Sequence, residues 1–253
     1  VHSQKKINLQ RGISVIELLI GVAVGLFILS GALMLFGNYI NNNRRLVLET
    51  QVNQEMRAAA DLIARDLRRA GYWGDSTASV ILTSAATAAA SSPYAAAYPA
   101  ASSASSAITY SYSNYAPPSH PTPNPENNTL DSTENYGFRL NSGVLQFQNG
   151  SSNWQAITDS NSLTVSNFTV TPVHQCVPLQ QYCTGGSSST CGACTVDATT
   201  GCPTAACATC PFIKVRSYNI ALQGTSTTDA TVTRSIQETV RVRNEELLGS
   251  CPS

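Results

Sequence analysis

Two sets of residues in this sequence carry chemistry by type and spacing. One is a lone carboxylate, Glu17, inside a long apolar run; the other is a group of eight cysteines, seven of them between Cys176 and Cys210. Glu17 is the one charge among the twenty-five residues from Ile13 to Gly37. At ~1.5 Å per residue, a helix of that length spans the ~30 Å hydrocarbon core of a bilayer. An ionisable group there costs on the order of 2–3 kcal/mol or more unless it is paired or lies near the interface. The preceding residues supply a partner. Lys5, Lys6 and Arg11 form a basic leader, and the small residue Gly12 stands directly before the apolar run. An ordinary secretory signal has its small-residue cleavage site after the apolar region instead. Cleavage after Gly12 leaves Ile13 with an amine of pKa ~8, one helical turn from Glu17. In that first turn the helix dipole also favours an anion.

The cysteines are Cys176, Cys183, Cys191, Cys194, Cys202, Cys207, Cys210 and Cys251. The pairs Cys191/Cys194 and Cys207/Cys210 have zinc-ribbon spacing, which in a cytosolic chain reads as a metal site. In an oxidising compartment the even count favours disulfides over zinc, and eight cysteines permit 105 pairings among which sequence does not choose. The surrounding Gly, Ser and Thr cannot build a core, so covalent staples have a clear use there. A redox role for a Cys-x-x-Cys pair lacks the surrounding pattern such motifs require.

Other chemistry is thin. His2, His120 and His174 have no second ligand near them in sequence, and no phosphate-binding glycine loop, nucleophile elbow or paired-carboxylate motif is present. Asp61 and Asp66 read as solvated helix charges. These features predict neither an enzyme nor a cofactor or metal site. The 253 residues carry 15 basic and 15 acidic side chains, a net charge of zero, with charged residues only 12% of the chain. That balance gives no footprint for nucleic acid or for a polybasic lipid patch.

The elements that must position these groups follow from periodicity. Residues 13–37 read as the transmembrane half of a helix, with Gly21 and Gly25 spaced to let a second helix approach closely. Lys5, Lys6 and Arg11 hold the N-terminal side in the cytoplasm and send the rest to the periplasm. Residues 38–71 continue the helix in amphipathic form: Leu48, Val52, Met56, Ala59, Ile63, Leu67 and Ala70 recur at steps of three and four. Gly71 is its C-cap. Residues 72–135, rich in Ala, Ser, Tyr and Pro, read as a connecting loop without a core-forming pattern, in which Tyr110, Tyr112 and Tyr115 make a sticky patch. Strands begin at Tyr136: 136–140 and 144–147 form a hairpin, followed by 154–157, 163–171, 212–222 and 231–242. The alternation in the last strand suits a sheet with one face against a helix. The predicted class is α+β: a long N-terminal helix packed on an antiparallel β-sheet spanning 136–253, with a disulfide-rich insert at 176–210.

Arg11-Gly12 followed by Ile13-Ser14-Val15-Ile16-Glu17-Leu18-Leu19 resembles the class III signal of type IV pilins and the related secretion pseudopilins. Arg65 to Gly74 and Gly137 to Leu140 further resemble the minor pilins of the PilW family. The resemblance implies that residues 1–12 are a leader removed by a membrane prepilin peptidase, cutting between Gly12 and Ile13. It implies N-methylation of Ile13 and docking of Glu17 onto a neighbouring subunit's N-terminal amine. It also implies a structural subunit that primes or joins a pilus, with major and other minor pilins and a tip adhesin as partners. Such a subunit resides in the inner membrane and then in a surface fibre serving adhesion and twitching motility. A minor pseudopilin of a type II secretion system shares the same signal. A membrane-anchored periplasmic zinc or redox module is the alternative from another class.

Overall fold

The computed structural model describes residues 14–79, 92–99, 103–150, 152–182, 195–203 and 210–249. It divides after Leu48 into two compact units. Helix α1 runs from Val15 to Leu67. In its second-unit portion the buried residues are Val52, Met56, Ala59, Ala60, Ile63, Ala64, Asp66 and Leu67. Apart from Asp66, this is the apolar face that steps of three and four create on a helix. Two tighter bonds close the helix, the Arg69 amide donating to the Asp66 carbonyl and Ala70 to Leu67. Gly71 then takes φ +74°, the left-handed conformation that suits glycine at a helix end. Its amide leaves the helix and donates to the Ser111 carbonyl at 2.8 Å. The orphan carbonyls of the last turn are met from elsewhere: the Arg243 amide donates to Arg68 and the Asn244 side chain to Arg69 and Ala70.

The strands form two antiparallel sheets where one was expected. The first is ordered β1 (Ala97–Tyr98), β2 (Ala107–Ser111), β3 (Asn135–Asn141), β4 (Val144–Asn149) and β5 (Trp154–Ala156). The second contains β6 (Leu163–Pro178), β7 (Phe212–Ser226) and β8 (Thr233–Arg241), with β9 (Glu246–Leu248) pairing to the start of β7. The expected hairpin is present: β3 and β4 meet across Ser142-Gly143, both at positive φ (51° and 79°). That two-residue turn matches the right-handed twist of the strands it joins.

The reading of 72–135 as a connection without core pattern is corrected. β2 lies inside the first sheet, and Ile108, Tyr110 and Tyr112 are buried at alternate positions. Its period-two signal is only a few residues long and sits in Ser- and Ala-rich text, so composition concealed it.

The helix stripe meets the second sheet closely. A Cβ on Gly224 of β7 would lie 2.7 Å from both Met56 Sδ and Leu163 Cδ1. Ion pairs flank this contact, Glu49 with Arg234 at 2.6 Å and Arg68 with Glu238 at 3.8 Å. The Ser162 hydroxyl donates to Glu55 at 2.7 Å. Replacing Gly224 with Ala should destabilise the protein by about 1–3 kcal/mol through overpacking, read as a lower denaturation midpoint of the full chain in detergent.

Candidate functional site

In the first unit every described residue from Ser14 to Val47 is exposed. The exposed apolar side chains include Leu18, Ile20, Val22, Leu26, Phe27 and Leu33. They lie on all sides of α1, since a run this continuous leaves no polar face at 3.6 residues per turn. A helix apolar all round belongs in lipid or in the interior of a helix bundle. Among the described residues, this helix alone is long and apolar enough to cross a membrane.

Glu17 sits in the first turn, exposed, with no hydrogen-bond or ion-pair partner among the described residues. The first backbone bond of the helix is Leu18 N–H to the Ser14 carbonyl at 3.1 Å. Ser14 therefore stands at the N-cap and Glu17 at the third helical position, an arrangement in which the dipole stabilises the carboxylate. Gly21 and Gly25 leave open space: a Cβ built on either meets nothing within 4 Å. Gly31 and Gly37 are the same. Gly12 and Ile13 lie outside the described residues.

The cysteine region is partly described. Cys176 and Cys202 form a disulfide, closing a separation of 26 residues, and Cys210 is also disulfide-bonded. These three sulfurs are therefore unavailable as zinc ligands, and no group of three metal-binding side chains occurs among the described residues. Cys183, Cys191, Cys194, Cys207 and Cys251 lie outside them. Cys176, Cys210 and Phe212 form a small buried cluster with Cys202 and Leu248 against it. Within the insert, the exposed Asp197 carboxylate accepts bonds from the Thr199 and Thr200 amides and the Thr200 hydroxyl. Those bonds hold its pKa below the usual range.

Asp66 corrects the sequence reading most sharply. It is only 8% exposed, and it accepts hydrogen bonds from the hydroxyls of Tyr110 at 2.5 Å and Tyr112 at 3.2 Å. Arg69 lies 3.5 Å from the same carboxylate and 4.2 Å over the Tyr112 ring. Tyr112 stacks on Tyr136, with centroids 3.8 Å apart and planes 6° from parallel. Tyr136 in turn donates to Asn114 Oδ1 at 2.7 Å. Burial, reinforced by the Asp66 charge, pushes the Tyr110 and Tyr112 pKa values well up. Both phenols therefore remain donors at neutral pH, and their role is to satisfy a buried carboxylate. Tyr110 and Tyr112 were expected on an exposed patch; the available clue was their i, i+2 spacing.

Two glutamates the sequence did not single out secure the neighbouring loop. Glu134, 5% exposed, accepts from the Asp131 and Asn114 amides and from the Tyr94 hydroxyl. Glu126 accepts from the Gly74 and Asn128 amides, the Tyr94 hydroxyl and the Ser113 hydroxyl. Burial alone would raise the Glu126 pKa, but the bonds from Ser113, Asn128, Tyr94 and Gly74 outweigh it and the net shift is downward.

With this arrangement established, one comparison decides the family. A family model described as prepilin peptidase-dependent protein B matches residues 45–242. The chain belongs to that family. No curated protein and no solved structure matches it. Membership in a prepilin peptidase-dependent family points to pilus- or pseudopilus-type assembly, and the exposed apolar helix is compatible with an inner-membrane anchor. The match covers α1 from Arg45 onward and both sheets apart from β9, so it is independent of the signal read at Gly12 to Leu19.

Asp66→Ala should lower stability by about 2–4 kcal/mol, because two buried hydroxyls lose their acceptor; Asp66→Asn, which keeps one acceptor oxygen, should lose less in the same urea titration. Glu126 is depressed in the folded state, so its contribution is present above the unfolded value near ~4.3 and is lost as pH falls through the folded value. Glu126→Gln should therefore flatten the acid limb of a stability-versus-pH curve.

Proposed function

We propose that this family member is a minor type IV pilin of the PilW kind, a structural subunit that primes or takes part in pilus assembly. The observation that carries this reading is Glu17: a carboxylate without a partner among the described residues, in the first turn of a helix whose N-terminal run is apolar and exposed on every side. Prepilin peptidase cuts after Gly12 and frees the Ile13 amine, which is then methylated and stays cationic. The leader's removal leaves the anchor in the inner membrane with the sheets in the periplasm. Assembly transfers the anchor from lipid to a bundle of like helices, an exchange of one apolar environment for another that supplies little hydrophobic drive. Close packing at Gly21 and Gly25 and neutralisation of Glu17 by a neighbour's amine then decide register. A carboxylate in lipid without that partner is costly, so the axial position in which the two charges meet is strongly preferred. The remaining partners on this reading are the major pilin, other minor pilins and a tip adhesin.

Mass spectrometry of protein recovered from cells tests the processing step. The expected N-terminus is N-methylated Ile13, and Gly12→Phe should retain the leader. Glu17→Ala should be cleaved normally yet fail to enter sheared fibres. Unchanged incorporation of that variant refutes the docking role, and recovery only with a secretion pseudopilus places the chain among pseudopilins instead.

A further inference from the structure

One end of the second sheet gathers basic side chains that assembly through α1 does not use. Lys214, Arg216 and Tyr218 alternate on one face of β7. The register sets His174 of β6 directly opposite Arg216, and Glu246 of β9 opposite Lys214. Further along the same face β7 is apolar, with Ile220 and Leu222 buried. These five groups border a surface cavity of about 410 Å³, within the size range of small-molecule sites.

The charge at this corner is unbalanced. Arg216 is only 7% exposed. Its guanidinium donates to the carbonyls of Ala95 at 2.5 Å and Asn244 at 3.2 Å, while Nε is buried without a hydrogen-bond partner. Among the described residues no carboxylate is ion-paired with it. The one carboxylate bordering the cavity, Glu246, is committed to Lys214 at 3.2 Å. The two cations, Lys214 and Arg216, and the one anion, Glu246, leave a net charge of +1 before His174 is counted. A buried guanidinium met only by carbonyl dipoles is costly and favours an incoming anion.

We propose that this cavity binds a small organic acid carrying hydroxyl groups, a sugar acid, with its carboxylate at the Arg216 and Lys214 corner. The planar fork of arginine suits a carboxylate. His174 offers a polar partner for hydroxyls, and Pro172 together with Ala95 to Ala97 gives the apolar wall on which a pyranose ring can lie. This inference stands apart from the filament reading, because it concerns the purified chain alone.

Isothermal titration of the full chain in nonionic detergent tests it, with D-glucuronate, D-glucose and inorganic phosphate as separate titrants. Saturable glucuronate binding, no binding of glucose, and phosphate at least about tenfold weaker are expected. Lys214→Met should weaken glucuronate by about tenfold, the loss expected for one charge-assisted hydrogen bond. His174→Ala, which breaks no ion pair, provides the readout if the circular dichroism of Lys214→Met departs from wild type. Absence of saturation overturns the proposal. So does glucose or phosphate binding as tightly as glucuronate, or unchanged affinity in a correctly folded variant.

Discussion

The packing of the α1 stripe against the sheets is the contact on which the rest of the second unit depends. Met56 lies where Gly224 permits no side chain, and Ile63 and Leu67 are fully buried. Asp66 gives the same face a polar end that Tyr110 of β2 and the adjoining Tyr112 satisfy with their hydroxyls. An apolar stripe gives burial energy but little positional preference along a helix. A carboxylate that must find two hydroxyls allows one register. The ion pairs at Glu49 and Arg68 and the caps supplied by Arg243 and Asn244 agree with that register.

The two halves of α1 follow opposite rules within one continuous element. From Val52 onward the helix is one-sided, as packing on a sheet requires, whereas up to Gly37 it is apolar on every face. No proline falls between Val15 and Leu67, so no residue in the run lacks the amide that helical bonding requires.

The covalent and charged features of the second sheet serve different ends. The disulfide between Cys176 and Cys202 closes an insert too poor in apolar residues to hold itself. Cys176 lies directly opposite Lys214 in the register, and His174 and Arg216 pair two residues away on the same strands. The insert thus holds the end of β6 beside the cavity.

Much of this protein is already written in local sequence. The apolar run with one acid, the three-and-four stripe, the Ser142-Gly143 hairpin and the alternation in β8 are short-range patterns. Each depends on backbone periodicity that neighbouring residues alone determine. Tertiary structure decided the rest. Whether Asp66 faced water or a pair of tyrosines depended on β2, forty-four residues away in Tyr110, and β2 is too short to announce itself. The division of the strands into two sheets, the Cys176 to Cys202 pairing and the meeting of Arg216 with His174 all join distant segments. Such pairings are chosen by the packing of the whole chain, because no local spacing energetically distinguishes one long-range partner from another.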